Sequence, residues 1–145
     1  MIIYCLEDSG SSLLCHAYLR DVHKHKVKST DDYRDIAEWI AENPDGFDAL
    51  ILDLNMPLHS LRYIPGCKDY DKEKNHSPTL YFIEKFLLVR FPYLRKKIIL
   101  FSAFFDDYYI KGCKEQLEQF IKIDKNERNY LNDLIFAIDS LNNDG

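Results

Sequence analysis

The sequence predicts an α/β fold, a five-stranded parallel sheet with helices on both faces. Three observations carry this expectation. Short, nearly continuous apolar runs recur along the chain, as strands buried on both faces require. Stretches with apolar residues at helical spacing lie between them. The order is strand and helix alternating five times, the pattern of a parallel sheet covered on two sides.

Ile2 to Leu6 is the first apolar run, and it stops at Glu7-Asp8. Ser9-Gly10-Ser11-Ser12 is a turn and cap cluster. From Leu13 to about His23, the residues Leu13, Leu14, Ala17, Tyr18 and Val22 recur at helical spacing. Lys26-Val27-Lys28 marks the second strand. Thr30-Asp31-Asp32 opens the next helix, with acids where the helix dipole favours them, and Tyr33, Ile36, Ala37 and Ile40 form its apolar stripe. Asn43-Pro44-Asp45-Gly46 ends it. Phe47 to Leu52 is the third strand, closing at Asp53. Ser77-Pro78 is an N-cap followed by proline at the first helical position, and this helix runs to Pro92. Ile98 to Phe101 is the fourth strand, ending at Ser102-Ala103. A short helix is expected from about Asp106 to Glu115, a fifth strand from Gln119 to Ile123, and a last helix from near Asn126.

A chain of 145 residues, 46% hydrophobic, suits one domain with its own core. Residues 1–145 are read as that single domain, with a loop insertion at 58–76, because Lys68 to Asn75 is nearly all polar. The 24 acids against 19 bases argue against bulk nucleic-acid binding. No apolar run is long enough to span a bilayer. The N-terminus lacks a basic region and a cleavage site, so a cytoplasmic protein is expected. Cys5, Cys15, Cys67 and Cys113 show no C-x-x-C spacing and are expected as reduced thiols. The five histidines show no metal-ligand spacing.

In open α/β sheets, ligands bind at the carboxyl ends of the strands. Strand one ends in Glu7-Asp8, strand three in Asp53 and strand four in Ser102-Ala103, while strand five contains Lys122. Crowded carboxylates repel, and Mg²⁺, which takes oxygen ligands and keeps several waters, relieves that repulsion. A carboxylate can act as nucleophile toward phosphorus and form an acyl phosphate. Ser102 and the Ala103 N–H could donate to phosphoryl oxygens, and Lys122 would supply a compact positive charge. Phosphoryl transfer needs chiefly positioning and charge stabilisation. A lysine inside an apolar strand also needs a partner.

Glu7-Asp8, Asp53 with Met56-Pro57, Ser102-Ala103 and Lys122, in this order, resemble the signature positions of response-regulator receiver domains. The resemblance covers residues 1 to about 142 and implies a flavodoxin-like sheet of strand order 2-1-3-4-5. It implies that Asp53 accepts a phosphoryl group from a histidine kinase or phosphotransfer protein. Glu7, Asp8, Asp53 and the backbone carbonyl of Asn55 would hold Mg²⁺ (or Mn²⁺). Ser102 would be the switch hydroxyl, with Lys122 against the phosphoryl group. Phe104, two places after Ser102, and Asn55 would flank the path of the attacking water, so slow self-dephosphorylation is expected. The expected output of this stand-alone domain is contact with a downstream protein, or a homodimer on the face of strand five and the last helix.

The sequence departs from that pattern at several points. Ile123 follows Lys122 where the family usually has proline, and Gln119 stands where it often has a Tyr or Phe switch residue. The segment between Ser102 and Lys122 is short, and the stretch after Pro57 is long. These departures favour a rival, a receiver-like binding module that works without phosphorylation. A phosphatase of the haloacid-dehalogenase type, the other rival, usually needs a second Asp two residues after its nucleophile, where this chain has Asn55.

Overall fold

The computed structural model describes residues 1–8, 17–56, 60–75 and 77–143. Its sheet has five strands: β1 (Ile2–Leu6), β2 (Lys26–Thr30), β3 (Ala49–Asp53), β4 (Ile98–Ser102) and β5 (Ile121–Asp124). They lie in the order β2-β1-β3-β4-β5, all parallel. The expected architecture and strand order are therefore those observed.

Side chains alternate across a strand, so each central strand feeds two cores. Tyr4, Leu6, Leu50, Leu52, Ile98 and Leu100 face one. It is closed by α1 (Tyr33–Glu42) and by α3 (Pro78–Phe82), which runs through a π-helical turn, Ile83–Leu87, into α4 (Leu88–Arg90). Ile3, Cys5, Ala49, Ile51, Ile99 and Phe101 face the other, under Leu19 and the last helix, with Leu134, Ala137 and Ile138. Each such large apolar side chain stabilises the fold by about 1.5–3 kcal/mol when fully buried.

The helix starts follow local chemistry. Asp32 caps α1, its carboxylate accepting from the Arg34 N–H at 2.8 Å. Ser77 caps α3 by accepting from the Leu80 N–H at 3.2 Å, with Pro78 in the first turn. Leu13 to Cys15 of the first expected helix, like Ser9 to Ser12, lie outside the described residues; Tyr18–Val22 forms a π-helical turn.

The segment expected as a surface loop is partly core. It carries a 3-10 turn at Leu61–Tyr63 and the short helix α2 (Lys72–Asn75), and Ser60, Leu61, Ile64 and Cys67 are buried. Gly66 lets it pack so closely. Its φ is +87°, and a Cβ there would meet the Lys85 carbonyl oxygen at 2.8 Å.

After β4 the boundaries differ from the expected ones. One short helix is replaced by two, α5 (Phe105–Ile110) and α6 (Lys114–Glu118), broken at Gly112 with φ +89°. α6 takes up the residues before Gln119, and a turn from Phe120 N–H to Leu117 O follows at 3.3 Å. β5 therefore starts and ends later than expected, and α7 (Tyr130–Asn143) follows it.

Candidate functional site

The register brings the strand ends together. Leu6 pairs with Leu52, so Glu7 and Asp53 are the next residues on adjacent strands. Asp53 pairs with Phe101, and Ser102 pairs with Asp124. Asp53 is 4% exposed and Glu7 5% exposed, while Asp8 stands exposed at the rim. Carboxylates this deep require charged or hydrogen-bonding partners. For Asp53 these are defined. Its Oδ1 accepts from the Asn55 N–H at 2.9 Å, and its Oδ2 meets the Lys125 ammonium at 2.8 Å.

The lysine at Asp53 is thus Lys125 and not Lys122. Lys122 pairs in register with Leu100, two positions short of the Ser102–Asp124 level. Its ammonium donates to the Leu117 and Phe120 carbonyls at 3.3 and 3.4 Å, at the end of α6, where the helix dipole favours a cation. Lys125 follows the last residue of β5 and crosses to Asp53, with its ammonium 4.6 Å from the centre of the Phe101 ring. Three other expectations move with this correction. The residue after the site lysine is Asn126, not Ile123, and the residue three places before it is Lys122, not Gln119. The stretch from Ser102 to the lysine is also three residues longer than expected.

Ser102 is fully buried, and its Oγ accepts from the Phe104 N–H at 2.9 Å, which leaves the hydroxyl proton to donate elsewhere. Ala103 joins the loop after β4 to the loop after β5. Its carbonyl accepts from the Asn126 side-chain amide at 2.6 Å, beside the bond from Lys125 N–H to Ser102 O at 2.9 Å. Phe104 stands at the head of α5, 44% exposed. Met56 is buried, Asn55 is exposed, and Pro57 lies outside the described residues.

Three side chains under the loop after Asp53 were not expected from the sequence. Thr79 donates to the Asp53 carbonyl at 2.7 Å, so the Tyr33 hydroxyl, 2.9 Å away, must donate to Thr79. Tyr108 donates to the Leu54 carbonyl at 3.1 Å. Burial pushes the Tyr33 phenol far up and the Tyr108 phenol up to about 12, and the Asp53 charge adds to both. Both phenols therefore stay protonated as donors. Among the described residues, which include Glu7, Asp8 and Asp53, no three His, Cys, Asp or Glu side chains come together as a group that could hold a metal ion.

No protein-family model matches the sequence, and no curated protein matches it. Solved structures do. A response regulator receiver domain protein from Clostridium thermocellum is 19% identical, with 99% of this chain and 94% of that chain covered at a TM-score of 0.64. Full-length FixJ from B. japonicum is 14% identical, with 98% of this chain and 57% of that chain covered at 0.62. The receiver domain of the Francisella response regulator 1452 is 13% identical, with 99% and 96% covered at 0.57. At these identities the likeness concerns the fold. The chain has the fold of response-regulator receiver domains, over nearly its whole length.

Proposed function

We propose that this protein is a phospho-accepting receiver domain of a two-component or phosphorelay system, with Asp53 as the acceptor. The observation that carries the reading is the contact of the buried Asp53 Oδ2 with the part-buried Lys125 Nζ at 2.8 Å, at the carboxyl edge of a receiver-type sheet. A nucleophilic carboxylate and a fixed cation are what phosphoryl transfer needs. From a phosphohistidine donor, an Asp53 oxygen bonds to phosphorus as the P–N bond breaks. The departing imidazole takes the electron pair, and an acyl phosphate remains. Lys125 balances the added charge, and the Ser102 hydroxyl has a proton to donate.

The donor set is oxygen only, which suits Mg²⁺ or Mn²⁺ holding several waters and one or two carboxylates. The ligands implied by the resemblance are Glu7, Asp8, Asp53 and the Asn55 carbonyl; the three carboxylates are not drawn together as a metal-binding group, so binding would require them to close around the ion, which would neutralise charge at the phosphoryl group. The donor is a histidine kinase or phosphotransfer protein, and the output is altered contact with a downstream protein or a second copy. The proposed compartment is the cytoplasm; no described helix is long and apolar enough to cross a membrane. The protein catalyses only its own phosphoryl transfer and loss.

A second reading, a binding module that ignores phosphorylation, draws on one observation: Lys125 already neutralises Asp53. Incubation with a small-molecule phosphodonor and Mg²⁺ separates the two. Intact mass should rise by one phosphoryl group in the unsubstituted chain and not in Asp53→Asn. An unchanged mass in both favours the binding module.

A further inference from the structure

We propose that Tyr108 is the residue that couples the acceptor loop after Asp53 to helix α5, an inference that rests on phosphoryl acceptance at Asp53. The helix touches the site at two points. At its head, the Phe104 N–H is held by the Ser102 hydroxyl oxygen at 2.9 Å. One turn further on, Tyr108 reaches back across the sheet edge to the Leu54 carbonyl at 3.1 Å. Ser102 and Leu54 belong to different strand ends, and Leu54 directly follows the acceptor.

The contact is built to transmit small shifts. Tyr108 is 7% exposed and Leu54 fully buried, so water does not readily replace the bond. The preceding carbonyl, that of Asp53, is held by Thr79, and Thr79 by Tyr33, both fully buried. The loop is thereby fixed on the α1 and α3 side. Movement at Asp53 or Asn55 is then relayed through the Leu54 carbonyl, whose partner rides on α5. The strand position three residues before Lys125 carries Lys122, whose ammonium is held at the end of α6. Tyr108 is instead the buried phenol that bridges the acceptor loop and the segment after β4.

When Ser102 turns its hydroxyl toward a phosphoryl oxygen, the head of α5 loses or shifts one tether. The state of the Tyr108–Leu54 bond then decides whether the rest of the helix follows. Tyr108 acts through the loop backbone and touches neither phosphorus nor donor, so it is a positioning residue.

The test uses the full chain, a small-molecule phosphodonor and Mg²⁺, with intact mass and amide hydrogen exchange read together. Phosphorylation of the unsubstituted chain should change exchange at residues 102–104 and at 105–110. Tyr108→Phe should still take up one phosphoryl group and change at 102–104, with the change at 105–110 reduced several-fold. An equal change at 105–110 in Tyr108→Phe overturns the inference. So does a phosphorylated unsubstituted chain with no change there. Failure of the unsubstituted chain to take up phosphoryl overturns the acceptor reading itself. Should Tyr108→Phe not fold, the Leu54 carbonyl carbon shift of the unsubstituted chain decides: it should move on phosphorylation, and a stationary resonance overturns the coupling.

Discussion

Asp53 and Lys125 meet in one contact at the strand ends. Asp53 is buried and Lys125 part-buried, so removing the ammonium strands a carboxylate at a cost of about 1–3 kcal/mol. Lys125→Ala should therefore lower stability by about that much, with part of the loss restored by Mg²⁺, because a cation replaces the ammonium beside Asp53. Lys122→Ala removes only a helix-end contact and should cost about 0.3–1 kcal/mol, with no rescue by Mg²⁺. Denaturant unfolding with and without the ion measures both. Phe104 makes a separate prediction. Its half-exposed ring stands two residues after Ser102, where it can hinder an attacking water. Loss of phosphoryl should be slow, and Phe104→Ala should shorten its lifetime several-fold, as followed by mass against time.

At the scale of elements, α1 depends on its cap. The Arg34 side chain bonded to Asp32, helped by the Arg34 N–H against some opposing burial, holds that carboxyl below its ordinary 3.8. A lowered folded pKa means stability that is present above the ordinary value and lost as pH falls through the lowered one. Asp32→Ala should cost about 1 kcal/mol at neutral pH, with the difference from the unsubstituted chain vanishing in acid. Gly66→Ala should cost more, because it combines a left-handed φ with a 2.8 Å approach to backbone. Thermal melts across pH check both. Elements with repeated apolar patterning were legible in the sequence: β1, β3, β4 and the Ser77-Pro78 helix start. The bounds of strand five were not, because the apolar residues Phe120, Ile121 and Ile123 run on from a helix end without punctuation. Lys122 falls inside that run, and Lys125 lies beyond it. At strands three and four the site residue directly follows the apolar run, whereas at strand five Asp124 takes that place and Lys125 comes one residue later. The bonds from Thr79, Tyr33 and Tyr108 had no such signal, since each joins residues 26 to 54 positions apart.

For the whole molecule, the sheet separates two cores and exposes one reactive edge. Phe82, fully buried against Tyr33 and Phe86, should cost about 3–5 kcal/mol as Phe82→Ala and leave the chemistry at Asp53 intact in the folded fraction. An ion that binds only the folded state raises its melting temperature, so Mg²⁺ should stabilise the chain and should stabilise Asp53→Asn less. The fold by itself does not require phosphorylation; the proposed function depends on where the phosphoryl group goes. The measurement that tests this most directly is reductive trapping. The chain is treated with phosphodonor and Mg²⁺, the acyl phosphate is reduced with borohydride, and the peptides are sequenced by mass spectrometry. Homoserine is expected at position 53, and no reduced acid at any other acid of the site. 5-Hydroxynorvaline at position 7, homoserine at position 8, or no reduced acid at all after phosphodonor treatment, would contradict it.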